Sequence, residues 1–147
     1  MQTKLIMNEN EKINTDCFVF LLSKAYQKGH RLVQNRLRPY GLTNIQYVVL
    51  EVLWNSDGLK AVDLGRQLNI DKSTLSGIIE RMTESGWLIK KRDNKDKRKL
   101  RLFPSAKANE LKAKLISERK AANEEMLSEF TLEERVLLRR LLLAIAV

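Results

Sequence analysis

The sequence predicts a mainly α-helical chain interrupted once by a small pair of β-strands. Three observations lead there. Apolar residues recur at three- and four-residue steps along most of the chain. Strict apolar/polar alternation is confined to one short run, 99-KLRLF-103, with a second β-prone run, 87-WLIK-90, just ahead of it. Between and across them, 90-KKRDNKDKRKLR-101 holds eight basic and two acidic residues, a local net of +6 out of the chain's formal +9.

A length of 147 residues suits one compact domain, or a core domain with an attached assembly element, and 44% hydrophobic residues suffice for a core. A pI near 9.8 favours an anionic partner, nucleic acid first and a membrane surface second. The single cysteine, Cys17, excludes an intramolecular disulfide framework and points to a reducing compartment. The first sixteen residues, MQTKLIMNENEKINTD, contain no uninterrupted apolar stretch, and no window is long enough to span a bilayer. A cytoplasmic location without membrane attachment is expected.

Residues 1–13 are polar and irregular, an N-terminal arm. From Asp16 onward, Phe18, Leu22, Ala25, Gly29, Val33 and Leu37 mark a long amphipathic helix that Pro39 and Gly41 close. In 43-TNIQYVVLEVLW-54, Thr43 and Gln46 have the spacing of a capping box, with Ile45, Val49, Val52 and Leu53 as the buried face. The break 55-NSDG-58 precedes a short helix, 60-KAVDLGRQLNI-70, with Leu64 and Leu68 inward. Asp71 opens the next helix, 72-KSTLSGIIERMTES-85, which buries Leu75, Ile78, Ile79 and Met82 and stops at Gly86. The two strands follow, separated by the polar turn 93-DNKD-96 and ended by Pro104. Residues 105–129 are helical, and Thr131 with Glu134 caps a last helix, 132-LEERVLLRRLLLAIA-146. That helix is apolar over more than one face, which predicts a subunit interface.

The helices 60–68 and 71–85, joined by a tight Asn69-Ile70 turn, make a helix-turn-helix pattern. If the second packs by its apolar face, Lys72, Ser73, Thr74, Ser76, Gly77 and Arg81 remain outside, polar and partly cationic. Such residues contact phosphates and base edges, and the glycine permits close approach. Two short strands and a basic turn directly after the pair complete a winged-helix arrangement. One element can then occupy the major groove while Arg92, Lys95, Lys97 and Arg98 of the hairpin reach an adjacent minor groove. Asp96, two residues before Arg98, is placed so that its carboxylate can hold the guanidinium in one rotamer. The sequence has no nucleophile–base pair around Cys17 or His30, no glycine-rich phosphate loop and no metal-ligand cluster. An enzyme, a cofactor and a metal site are therefore not expected.

With these motifs in place, the chain resembles the MarR family of bacterial and archaeal transcriptional regulators over residues 16–146. The resemblance rests on 42-LTNIQY-47, on 64-LGRQLNIDKSTLSGIIERMTESGWL-88, and on Arg92 with 96-DKR-98. It implies a mainly α fold in which a winged helix-turn-helix domain is flanked by dimerisation helices. The organisation would be an arm and dimerisation helix over 1–40, a DNA-binding domain over 41–104, and C-terminal dimerisation helices over 105–147. It implies a homodimer on a pseudo-palindromic double-stranded DNA operator, acting as a repressor that a small phenolic or aromatic acid, or an oxidant, releases. Asp96 and Arg98 would be the wing pair, with Arg98 in the minor groove. Many members follow the second wing strand with L-T-x-x-G; here 103-FPSAKA-108 stands instead, and Ser105 is the expected helix cap.

Tyr26, His30, Tyr40, Tyr47 and Trp54 are candidates to line an effector cleft, with core packing as the alternative for the aromatics and an exposed helix position or a dimer contact as the alternatives for His30. Cys17 lies near the reactive cysteine of the family's peroxide-sensing branch, but Val33 and Asn44 stand where that branch has tyrosines. No basic neighbour close in sequence stabilises a thiolate. Cys17 is read as a buried, unreactive thiol, with redox sensing as the alternative function and an RNA- or protein-binding winged helix as another.

Overall fold

The computed structural model describes residues 16–146. The arm expected over residues 1–13 lies outside the described residues. α1 (Phe18–Leu37) passes into a 3-10 turn at Arg38–Tyr40, and Gly41, at φ 70°, ends it in the left-handed region. α2 (Asn44–Asn55) starts on the predicted capping box: the Gln46 N–H donates to Thr43 Oγ1 (3.3 Å) and the Thr43 N–H to Gln46 Oε1 (3.0 Å). Its buried face is wider than predicted. Val49 and Leu53 are buried, but so are Tyr47 and Leu50, whereas Ile45 in the first turn is exposed. The reason is that α2 has neighbours on two sides, α1 and the sheet.

A two-residue strand, β1 (Leu59–Lys60), takes the start of the segment expected to be helical, and α3 (Ala61–Leu68) begins one residue later. Asn69, at φ 51°, turns the chain, with the Ile70 N–H on the Gly65 carbonyl at 2.9 Å. α4 (Lys72–Glu84) is opened by Asp71 and leads through Gly86, at φ 80°, into the hairpin of β2 (Leu88–Arg92) and β3 (Leu100–Pro104). The sheet order is β1-β3-β2, antiparallel throughout, with Leu59 opposite Leu102 and Leu88 opposite Pro104.

Pro104, expected to end the strand, is its last paired residue. The Ser105 N–H donates to the Trp87 carbonyl (3.0 Å). Hydrogen-bonded and non-bonded positions alternate along an antiparallel pair, so the nitrogen of Pro104 faces away from β2, toward the side where β1 has already ended. No donor is lost there.

α5 (Ala106–Met126) is capped by Ser105, whose Oγ accepts from the Ala108 N–H at 3.2 Å. The second capping box forms as predicted, Thr131 with Glu134, and opens α6 (Leu132–Ala146). The core joins α2, α3, α4, the sheet and the start of α5 through Leu50, Leu53, Leu64, Ile78, Met82, Trp87, Leu102 and Leu115. α1 runs along α5. A Cβ on Gly29 would stand 2.8 Å from Met126 Sδ, so a glycine there lets the two helices approach. Arg36 of α1 pairs with Glu118 (3.2 Å) and Glu125 (3.3 Å) of α5. No residue of α6 is buried in the single chain; Leu132, Val136, Leu141 and Ile145 are among its exposed apolar side chains.

Candidate nucleic-acid interface

α4 packs by Leu75, Ile78, Ile79 and Met82, which leaves Lys72, Ser73, Thr74, Ser76 and Arg81 exposed and Gly77 half-buried. The Asp71 carboxylate accepts from the Thr74 N–H (2.9 Å) and from Thr74 Oγ1 (2.7 Å). These bonds hold its carboxyl below the ordinary carboxylate range. The Thr74 hydroxyl proton is therefore committed to the cap, and Thr74 faces solvent as an acceptor rather than as a donor to phosphate. The space above Gly77 is used by its own helix: a Cβ there would lie 3.3 Å from Arg81 Nη1. Glycine at this position lets the Arg81 guanidinium lie back along α4.

In the hairpin, Arg92 ends β2, and Lys95, Lys97 and Arg98 are exposed on the connection to β3. Asp96 Oδ1 accepts from the Arg98 N–H (3.1 Å) and from Arg98 Nε (3.3 Å), while the Arg98 side chain stays 92% exposed. The guanidinium is thus tethered at Nε and presents its outer face to solvent.

Asp93 has a role the sequence did not reveal. The sequence puts it in a polar turn, yet it is only 5% exposed. Its Oδ1 accepts from the Lys95 N–H (2.8 Å) and the Asp96 N–H (3.2 Å), and its Oδ2 from Arg101 Nε (2.7 Å). The two backbone donors, then the Arg101 guanidinium, lower its carboxyl pKa to about 2. Arg101 reaches further, donating from Nη1 to the Gly58 carbonyl at 2.8 Å. Phe103 packs on the same turn, since a Cβ on Gly58 would stand 3.1 Å from its Cε1. No sequence signal marked the role of Asp93, because the row of like charges Lys60, Arg101 and Lys91 exists only once the three strands have paired. Three like charges in a row repel unless a carboxylate joins them, and Asp93 is that carboxylate.

The five cleft candidates contact one another in pairs or reach side chains of α2 and α5. Tyr26 and His30 lie on α1 with ring centroids 5.6 Å apart. Tyr40 O–H reaches Glu118 at 3.4 Å. Tyr47 is in the core, edge-on to Trp54 at 6.3 Å, and burial pushes its phenol pKa up. Its hydroxyl accepts from Arg119 Nε (3.1 Å) and donates to Glu51 (3.3 Å). Cys17, expected to be buried, is exposed: it precedes the first turn of α1, where Phe18 and Val19 are exposed too. Among the described residues, no helix is long and apolar enough to cross a membrane.

A helix-turn-helix pair continued by a charged antiparallel hairpin defines a winged helix-turn-helix protein. Residues 42–100 match the MarR family, and this part of the chain is a domain of that family. It is similar to the HTH-type transcriptional regulator TtmR of Methylorubrum extorquens, with 34% identity over 100 residues that cover 67% of this chain and 50% of TtmR. The matched region thus spans half the length of that relative. Among solved structures, a probable transcriptional regulator from Pseudomonas aeruginosa superposes with a TM-score of 0.82 at 27% identity, over 88% of this chain and 97% of that one. A mutant MarR from E. coli complexed with operator DNA shares the fold with a TM-score of 0.80 at 22% identity, over 85% of this chain and 90% of that one.

Proposed function

We propose that the chain is a sequence-specific regulator of transcription that binds double-stranded DNA as a homodimer and represses from a pseudo-palindromic operator. One observation carries this reading: an exposed, carboxylate-tethered Arg98 stands on the hairpin that follows directly on the polar outer face of α4. Lys72, Ser73, Ser76 and Arg81 would meet the major groove, and Arg98, with Arg92, Lys95 and Lys97 about it, the adjacent minor groove. The relative whose structure includes operator DNA supports the choice of partner. Residues 41–104 would be the DNA-binding part, and α1, α5 and α6 the dimerisation part, in keeping with the bare apolar surface of α6.

The test is selection of a duplex from a random pool by the purified protein, followed by competition. The selected duplex should outcompete random DNA by at least ~10³-fold. Arg98→Ala should weaken its binding by ~1–3 kcal/mol at fixed salt, with helix content intact by circular dichroism. Equal affinity for all duplexes, or tighter binding to RNA, would move the chain to a general nucleic-acid module. Unchanged affinity on Arg98→Ala would refute the wing assignment.

A small aromatic or phenolic acid is the effector class we propose. Its expected signature is a rise in melting temperature with ligand concentration, together with release of the selected duplex. A screen of such acids that leaves both unchanged would oppose it. Oxidation of Cys17, which is exposed in the single chain, is the alternative route of release; Cys17→Ser should then bind DNA as the wild type does but ignore peroxide.

A further inference from the structure

The buried carboxylate of Asp93 sits on the part of the molecule read above as facing a polyanion, where an acid is out of place. Its contacts explain its presence. Asp93 Oδ1 holds the N–H groups of Lys95 and Asp96, and Asp96 in turn holds the backbone and side chain of Arg98. The Asp93 N–H bonds the Lys99 carbonyl (3.0 Å), and the Lys99 N–H bonds the Asp96 carbonyl (2.9 Å). Residues 93–99 therefore form a closed loop with Asp93 as its buried centre. Arg101, through Asp93 Oδ2 on one side and the Gly58 carbonyl on the other, fastens that loop to the turn between α2 and β1.

We propose that Asp93 and Arg101 are the positioning residues of the wing. Together they hold the backbone from which Arg98 projects, so that a negatively charged side chain strengthens binding to a negatively charged partner. The proposal rests on the DNA-binding reading and adds the residues that make the wing a rigid reader. Preorganisation is the physical basis: a tethered loop has already lost the conformational freedom that a slack one would lose on binding.

The sign of one substitution separates this from general electrostatics. Removing an acid beside DNA raises the net positive charge, and charge alone predicts tighter binding from Asp93→Ala. Positioning predicts the reverse. Binding of the selected duplex by the full chain should weaken roughly tenfold, the range expected for loss of a fixed cation contact. The double variant Asp93→Ala/Arg98→Ala should be no weaker than Arg98→Ala alone, because the first change acts through the second residue. Equal or tighter binding by Asp93→Ala, or additive losses, would overturn the proposal.

Amide hydrogen exchange of the DNA-free protein gives a readout that does not depend on DNA. In Asp93→Ala the Lys95 and Asp96 amides should exchange freely while the Leu102 amide stays protected. Continued protection of Lys95 and Asp96 would overturn the positioning role. Failure of the wild type to bind any duplex would instead refute the DNA reading. Should Asp93→Ala not fold, Asp93→Asn carries both measurements: it keeps an acceptor oxygen but loses the charge, so it should shift binding and exchange in the same directions by less. No shift in either would again be decisive against the proposal.

Discussion

Asp93 and Asp96 stand three positions apart in one turn, and their surroundings give them different work. Asp96 is partly exposed and orients a cation; Asp93 is enclosed by two N–H groups and a guanidinium. With its carboxyl pKa at about 2 in the folded chain, below the ordinary value, Asp93 binds its proton more readily when unfolded. Its charge therefore contributes stability that is fully present above about pH 4 and is lost as pH falls through about 2. In acid titrations of unfolding, the deficit of Asp93→Asn relative to the wild type should be constant from neutral pH to about 4 and shrink below that. A deficit that persists undiminished at the lowest pH would mean that the contacts, and not the charge, set it. Arg81 teaches a related point at this scale: its guanidinium lies over Gly77, so the glycine that would admit a DNA backbone first admits a side chain of its own helix.

At the scale of elements, what was legible is what short-range chemistry specifies. The Thr43–Gln46 and Thr131–Glu134 boxes, the Asp71 and Ser105 caps and the left-handed stop at Gly86 are where the sequence places them. Each depends on residues within four positions of one another. β1 was not legible, because two residues cannot display alternation and only pairing with Leu102 and Arg101 makes them a strand. The corner between α5 and α6 was not legible either. It is held by Arg135, which donates to both oxygens of Glu124 (2.9 Å each), to the Leu127 carbonyl (2.8 Å) and to the Phe130 carbonyl (3.2 Å). These bonds satisfy the carbonyl that caps α5 and one in the loop beyond it, and they direct α6 while none of its side chains is buried. If α6 joins two copies as proposed, Arg135→Ala should weaken self-association by roughly tenfold, about the worth of one charged hydrogen bond. Sedimentation at graded concentrations measures this; an unchanged dissociation constant would show that the corner is set by other contacts.

For the molecule as a whole, two features remain unbalanced in the single chain. Apolar side chains of α1 and α6 are exposed, Phe18 at 78% and Val136 at 62%, and the formal charge is +9. A second copy answers the first and a nucleic acid the second. If both hold, log affinity for the selected duplex should fall linearly with log salt, with a slope of about −0.9 for each phosphate neutralised. A twofold dimer should show the larger slope of two copies bound together. A flat dependence would place the partner outside the nucleic acids.

Taken alone, the sequence determined the helices, their caps, the helix-turn-helix, the basic hairpin and the outward residues of α4, because each follows from spacing within a turn or two of chain. The tertiary structure alone decided that Asp93 is buried, that Arg101 joins it to a carbonyl forty-three residues away, that β1 exists, and that Tyr47 belongs to the core. The physical reason is the range of the contacts. Periodicity reports which side of an element is apolar, whereas burial of a single carboxylate depends on which distant groups arrive to satisfy it.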